Sequence, residues 1–349
     1  MKKLFSNFDW GILASLIILL ILGLAMIRSV IPSFFPHQLI YALLGLVVFF
    51  LFSQIDYRIF PRLKNVFYFA CLVGLVLTFI FGAVTRGSIR WIQIGGFTFQ
   101  PSELVKPFLI LSFASFLLSR PITNYQSLIT NFSLLILPAF LIFGQPDLGS
   151  SLVVVLFWLG MAFAAGVPWR LVGVVGILTA IFLPIGWLSL HSYQKIRVLT
   201  FLRPFSDPLG AGYNMIQAMI AVGSGQIFGR RLGWGTQSHL RFLPERHTDF
   251  IFASLSEELG FLGALFLILT YAFLLWRILR IAGKTKEKFG FLVCLGVFGM
   301  LFVQIFINIG MNLGLVPITG ITLPLISYGG SSLVATMISL GIVENIARW

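Results

Sequence analysis

Charge is what this sequence has least of. Only 10% of its 349 residues are Asp, Glu, Lys or Arg, where a soluble domain carries about a quarter, so there is too little polar surface to coat a water-soluble globule. Acid is scarcer still: 11 Asp and Glu stand against 24 Lys and Arg, a formal net charge of +13. The two cysteines, Cys71 and Cys294, fall inside apolar runs, where a thiol behaves as a small hydrophobe, and they say nothing about redox compartment. His37, His191, His239 and His247 are scattered. They give no zinc-ligand spacing, and the chain holds no P-loop, dinucleotide fingerprint or G-x-S-x-G elbow. Nothing points to nucleic acid, because there is neither a basic helix with aromatic stacking positions nor a soluble domain to carry one. No internal repeat, low-complexity tract or linker divides the chain.

What is present is apolar: 58% of residues are hydrophobic and the mean hydropathy is +0.99. Runs of roughly 18 or more apolar residues, the span of a bilayer core, recur along the length. Barrel strands would alternate over about ten residues, and these segments do not. The expectation is an all-α integral membrane protein of about ten transmembrane helices, a single polytopic membrane domain over 1–349. The spans read as 10–28, 37–54, 66–84, 102–119, 129–145, 149–166, 170–190, 249–276, 289–313 and 323–347. Lys2 and Lys3 precede the first, which lacks a small-residue cleavage site before Arg28 and reads as a signal anchor. With the N-terminus inside, Lys2, Lys3, Arg58, Arg62, Lys64, Arg120, Arg170, Arg277, Arg280, Lys284, Lys286, Lys288 and Arg348 are cytoplasmic, and the short outer loops hold only Arg28, Arg86 and Arg90. The positive-inside rule therefore puts both termini in the cytoplasm.

One segment opposes that bias. The large extracellular loop between helices 7 and 8, about 191–248, carries Lys195, Arg197, Arg203, Arg230, Arg231, Arg241 and Arg246 against Asp207 and Glu245. Long loops translocate largely regardless of charge, so these groups fit lipid headgroups. They equally fit an anion-binding outer face, since guanidinium clamps phosphate bidentately. For so apolar a chain, a diphosphate on a lipid carrier is a natural candidate for that anion.

Ionisable residues inside spans are costly and each is a functional candidate. Glu103 and Lys106 share one helix face, either as a neutralising pair that anchors a helix end or as substrate contacts. Asp249 ends the charged stretch Phe242–Phe252 at the mouth of the eighth span, where it reads as an N-cap or as a general base; a diphosphate leaving group would need no second, protonating carboxyl. Glu257 and Glu258, deeper in that span, read as a structural lock in preference to catalysis. Trp91, beside Arg86 and Arg90, fits an interfacial belt residue, and Asp147, in Gln145–Gly149, a turn or cap. The small residues Ser327 to Ser332 allow either close helix packing or an unwound, cavity-lining backbone.

These motifs resemble those of the SEDS family of RodA, FtsW and SpoVE proteins, over nearly the whole length. The likeness rests on Gln100-Pro101-Ser102-Glu103 with Lys106, Gln145-Pro146-Asp147-Leu148-Gly149, Asp207–Asn214, Phe242–Phe252 and Leu325–Ser332. Asp207–Asn214, Gly235–Ser238 and Leu243–Arg246 place it with the RodA branch, from which Gly225–Arg231 departs mildly. The resemblance implies a peptidoglycan glycosyltransferase that polymerises lipid II on the outer face of the bacterial cytoplasmic membrane for rod-shaped elongation. Asp249 becomes the catalytic residue, the base for the acceptor GlcNAc 4-hydroxyl that attacks the donor MurNAc and expels undecaprenyl diphosphate, turning an α-linked donor into a β-1,4 product. Arg197, Arg203 and Lys106 are the candidates for the diphosphate, and Trp91, Glu103, Asp147, Gln217 and Ser327 complete the expected substrate contacts. The implied partner is a class B penicillin-binding protein. Whether magnesium or manganese bridges the diphosphate to Asp249 or Asp147 is left open, although the hard oxygen donors suit either ion. The carrier chain is expected to enter by a lipid-open groove between helices.

The rival expectation is a lipid II flippase or other transporter. Against it, paired repeats with broken midplane helices are not evident, and the candidate residues cluster on one face. A purely structural scaffold would leave Asp249 and the loop arginines without a shared purpose.

Overall fold

The computed structural model describes residues 8–349 apart from 86–87, 95–96, 169, 172, 174–187, 189–191, 211 and 241. It is nearly all helical, and among the described residues eight helices are long and apolar enough to cross a membrane. In chain order the helices are α1 (Trp10–Val30), α2 (Phe35–Gln54), α3 (Lys64–Phe81), α4 (Pro101–Ser119), α5 (Tyr125–Gly144), the shorter α6 (Leu148–Ala164), α7 (Ser192–Leu202), α8 (Tyr213–Ser224), the single turn α9 (Thr236–His239), α10 (Ile251–Lys284), α11 (Lys288–Asn312) and α12 (Gly330–Arg348). The span expected at 170–190 falls mostly outside the described residues, as do Lys2, Lys3, Arg86, His191 and Arg241.

Hydropathy makes the helices, and a few polar side chains set where they start. Asp9 caps α1 by accepting from the Gly11 and Ile12 amides at 3.0 and 3.1 Å, Asn124 and Ser127 form a reciprocal capping box on α5, and Pro101 opens α4, where its missing N–H costs nothing. Helices α4 and α12 are the most buried spans, while α2 and α3 show most of their surface outward. Exposed Leu43, Val47, Leu51, Phe69, Val73 and Ile80 match a lipid solvent, which rewards apolar surface as water would not.

Three expectations are corrected. The connection after the third span contains a small antiparallel sheet, β1 (Ala83–Thr85), β2 (Ser88–Ile94) and β3 (Phe97–Phe99), in the order β1-β2-β3. The last span, read from hydropathy as 323–347, begins only at Gly330: Leu325 and Gly329 hold φ of 67° and 157°, so the apolar stretch before it is irregular backbone. The eighth span runs to Lys284 and is broken at Gly260, at φ 69° and ψ −167°. The break frees the amides of Phe261 and Leu262, which donate to the Gln226 and Ile227 carbonyls at 2.8 and 3.1 Å. A Cβ on Gly260 would stand 2.2 Å from the Gly229 nitrogen, so only glycine lets the two backbones meet.

Charged groups tie the bundle at its two ends. At one end Arg277 donates to both oxygens of Asp9 through Nε and Nη2, and the Asp9 amide donates to Glu344 Oε1 at 2.7 Å, which places the start of α1 beside the end of α12. Toward the other end Glu257 and Glu258 are fully buried. Glu257 accepts from the Gln237 and Ser238 amides and the Thr236 and Ser238 hydroxyls at 2.6–3.2 Å. Glu258 accepts from Ser29 Oγ at 2.6 Å and the Gly233 amide at 3.3 Å, and lies 2.9 Å from His239 Nε2. The pair locks the segment before α10 onto that helix and onto α1.

Two outcomes follow for detergent-purified protein followed by thermal melting. Glu257→Ala strands four donors, two of them buried, and is expected to cost about 3 kcal/mol. Gly260→Ala, which meets backbone at a positive φ, is expected to cost at least about 2 kcal/mol; a melting temperature equal to wild type in either variant would show that the segment does not depend on that contact.

Candidate active site

At the end of the bundle where α10 and α12 begin, a cavity of about 660 Å³ opens. Its walls come from both halves of the chain: Arg90, Trp91 and Gln93 from β2, Gln100 before α4, Arg197 on α7, Glu245, His247, Thr248 and Asp249 before α10, Gly320 and Thr322 on the loop after α11, and Tyr328 to Ser332 where α12 starts. Asp249, Trp91 and Arg197, three residues singled out by sequence, therefore share one cavity.

A tight turn delivers Asp249. The Glu245 carbonyl accepts from the Thr248 and Phe250 amides at 3.1 and 3.2 Å, Glu245 itself sits at φ 50°, and Thr248 Oγ1 donates to its carboxylate at 3.1 Å. A non-glycine residue at positive φ stores strain, which persists only where its surroundings over-determine it. They do so here: Ser327 Oγ donates to the Thr248 carbonyl at 2.7 Å, and the Tyr328 amide to that of His247 at 2.8 Å. The cap position of α10 falls on Phe250, not on Asp249, so Asp249 is not the N-cap residue. Burial, with Tyr41 as a lesser cause, raises the Tyr328 phenol above its ordinary value, and at neutral pH this side chain is a neutral hydroxyl in the cavity wall.

Arg90 braces the opposite wall. It donates through Nε to the Gln145 carbonyl at 3.3 Å and through Nη2 to that of Pro146, and its Nη1 lies 3.9 Å from Asp147. Asp147 is buried and heavily engaged: it caps α6 by accepting from the Ser150 amide at 3.2 Å and takes hydrogen bonds from Gln100 Nε2 at 2.8 Å and Ser102 Oγ at 2.9 Å. Behind it Lys106 and Glu103 pair at 2.5 Å, with Ser150 Oγ donating to the same Glu103 oxygen at 3.3 Å. Both are buried, Lys106 to 1% exposure.

The remaining candidates fall elsewhere. Ser327 is 5% exposed and supports the turn. Arg203, at the end of α7, and Gln217, on α8, are not among the residues that line the cavity. Three polar contributors escaped sequence reasoning. Glu245 brings a second carboxylate to the cavity, and Asn308 and Asn312 bind the Asp249 carbonyl from α11. The signal that would have found the asparagines is a row of amides, Gln304, Asn308 and Asn312, at four-residue spacing on one buried face of an apolar helix.

A bundle of apolar helices with a polar, arginine-bearing cavity that holds a carboxylate at a helix mouth defines a multi-pass membrane protein with a polar site at one end of its bundle. The family model described as a cell cycle protein, of FtsW, RodA and SpoVE, matches residues 4–349, and the chain belongs to that family. It is 45% identical over 308 residues to peptidoglycan glycosyltransferase MrdB of Escherichia coli strain K12, covering 87% of this chain and 82% of that one. To stage V sporulation protein E of Bacillus subtilis strain 168 it is 37% identical over 352 residues, 95% of each chain. Among solved structures it matches a chain from work on the structural coordination of polymerization and crosslinking by a peptidoglycan synthase complex, with TM-score 0.85, 36% identity and 98% of both chains covered. It also matches the crystal structure of Thermus thermophilus rod shape determining protein RodA, with TM-score 0.74, 30% identity, and 98% of this chain and 97% of that one covered.

The buried Glu103–Lys106 pair is open to a double-mutant cycle. Lys106→Met alone leaves an uncompensated carboxylate and is expected to cost about 3 kcal/mol or more, whereas Lys106→Met with Glu103→Gln recovers most of the loss. Additive losses in thermal melts would show that the two do not act as a pair.

Proposed function

We propose that this chain is a peptidoglycan glycosyltransferase of the RodA type, which polymerises lipid II at the outer face of the bacterial cytoplasmic membrane, with both termini on the inner face. The observation that carries the reading is the Asp249 carboxylate in the wall of a cavity shared with Arg90 and Arg197, in a chain 45% identical to a named peptidoglycan glycosyltransferase. Asp249 takes the proton from the 4-hydroxyl of the acceptor GlcNAc as that oxygen bonds to the anomeric carbon of the donor MurNAc. The bond from that carbon to the diphosphate breaks, undecaprenyl diphosphate leaves with the electron pair, and the α-linked donor becomes a β-1,4-linked product. The leaving group departs as an anion, so one carboxylate suffices.

Arg197, on α7 and bonded to the Ile318 carbonyl at 3.4 Å, is placed to meet the diphosphate. Trp91 gives the sugar an apolar face in the same cavity. Lys106 and Glu103 act behind the wall and not on the substrate, and Asp147 holds the wall together. Arg203 and Gln217 are assigned to the surface over which substrate or product passes. A class B penicillin-binding protein, which cross-links the new glycan, is the expected partner.

A divalent cation fits this donor set in one way. No cluster of three or more metal-ligating side chains exists among the described residues, so the diphosphate must supply ligands, with Asp249 and Glu245 as the protein carboxylates on the cavity. Asp147, already engaged by Gln100, Ser102 and the Ser150 amide, is not available. Bound there, magnesium or manganese would neutralise charge on the departing diphosphate.

The test is polymerisation of purified lipid II by wild type and Asp249→Ala, each with its penicillin-binding partner, read as glycan ladders. Asp249→Ala is expected to lose about a hundredfold or more in rate while remaining folded and partnered, and Arg197→Ala to raise KM about tenfold. Equal polymer from Asp249→Ala would reduce Asp249 to a turn residue, and no polymer from partnered wild type would move the transport reading ahead.

A further inference from the structure

Two neutral amides hold the acidic residue from behind. Asn308 and Asn312 stand one turn apart on α11, both fully buried, and both Nδ2 groups donate to the Asp249 carbonyl oxygen, at 3.0 and 3.1 Å. A carbonyl has two lone pairs, and these two amides account for both. In a continuous helix that carbonyl would accept from the Ala253 amide, four residues on. Here the Ala253 amide donates instead to Asn312 Oδ1 at 3.1 Å. The first rung of α10 itself, from the Ser254 amide to the Phe250 carbonyl at 3.1 Å, is intact, and the Asn312 side chain sits just ahead of it, satisfying the Asp249 acceptor on one side and the Ala253 donor on the other. The helix therefore starts from its cap at Phe250, with Asp249 held just outside it.

The same amides fix the facing wall. Asn308 Nδ2 also donates to the Ile321 carbonyl at 2.7 Å, and Asn312 Nδ2 to the Asn308 carbonyl at 2.7 Å. Ile321 follows Gly320, which faces the acid so closely that a Cβ there would lie 3.5 Å from Asp249 Oδ2. The start of α10, the end of α11 and the loop after it therefore meet at one carbonyl.

Resting on the assignment of Asp249 as the base, we propose that Asn308 and Asn312 are positioning residues. By holding the Asp249 backbone against Ile321 they set the direction of its carboxylate and its separation from the Gly320 wall. Neither touches substrate. Their effect belongs to kcat and not to lipid II binding, because displacing a reacting group by about 1 Å costs on the order of a hundredfold in rate.

The experiment measures kcat and KM for lipid II, together with melting temperature, in partnered Asn308→Ala, Asn312→Ala and Asn312→Gln, with Gln304→Met as control. Gln304 lies on the same buried face one turn before Asn308. The alanine variants are expected to lose about ten- to a hundredfold in kcat with KM within about twofold of wild type. Asn312→Gln keeps an amide but moves it by one methylene, so it should recover melting temperature without recovering kcat, and Gln304→Met should stay within about twofold of wild type in both constants. Wild-type kcat in the alanine variants, recovery of kcat in Asn312→Gln, or an equal loss in Gln304→Met would overturn the proposal. If the alanine variants do not fold, Asn312→Gln decides it alone, since full kcat there leaves no positioning role. Failure of the underlying assignment reads differently: Asp249→Ala would then polymerise like wild type, and the positioning role would fall with it.

Discussion

A membrane interior contains no water to satisfy a stranded donor or acceptor, so a polar group carried into the bundle is costly unless it finds its partner in protein. That constraint places the joints of the fold. Asp9, Arg277 and Glu344 join three helices at one end, Glu257 and Glu258 pin the segment before α10, and Glu103 and Lys106 neutralise each other behind the cavity. Between these joints the helices touch mostly through apolar side chains, which set proximity but little direction, with single hydrogen bonds such as that of Tyr68 to the Leu134 carbonyl and of Asn345 to the Ser53 carbonyl. The polar contacts, few and costly to break, decide which helix ends meet and so where a cavity can form.

The same constraint explains what could be read without coordinates. Apolar runs betray spans because length alone crosses a bilayer, and the placement of most helices followed. Hydropathy is blind to backbone conformation, however. Leu323-Pro324-Leu325-Ile326 is as apolar as a helix, yet it is irregular backbone that leads into the cavity at Tyr328; in the Ser327–Ser332 stretch residues 327–329 are unwound, 330–332 are the first turn of α12, and 328–332 line the cavity. The break at Gly260 depends on carbonyls of Gln226 and Ile227, more than thirty residues earlier in the chain, and nothing local signals it. The strand Ser88–Ile94 is seven residues long, too short for alternation to stand out within a stretch read as a connecting loop.

Site residues divide in the same way. Asp249 was visible because a carboxylate at the edge of an apolar run is costly, and Trp91 and Arg197 because motif and charge marked them. Geometry then separates residues that share a motif: Asp147 belongs to the wall as a cap and hydrogen-bond centre, and Ser327 to the turn. Asn308 and Asn312 escaped because a search for ionisable groups passes over neutral amides, although an amide buried in a span needs partners just as a charge does.

The arrangement also bears on polymerisation against transport. Alternating access needs a site whose two sides can open in turn, commonly at broken helices near the midplane. Here the break inside a long helix that the described residues contain, at Gly260, is filled by the backbone of residues 226–229, and its neighbours Glu257 and Glu258 fasten it further. Asp249 stands on a turn whose carbonyls are held from three directions. Such bracing works against a rocking site, because each motion would strand donors that nothing else can satisfy. It suits a base that must meet a hydroxyl at a fixed place, since a carboxylate on a fixed backbone needs little reorganisation at the moment of proton transfer.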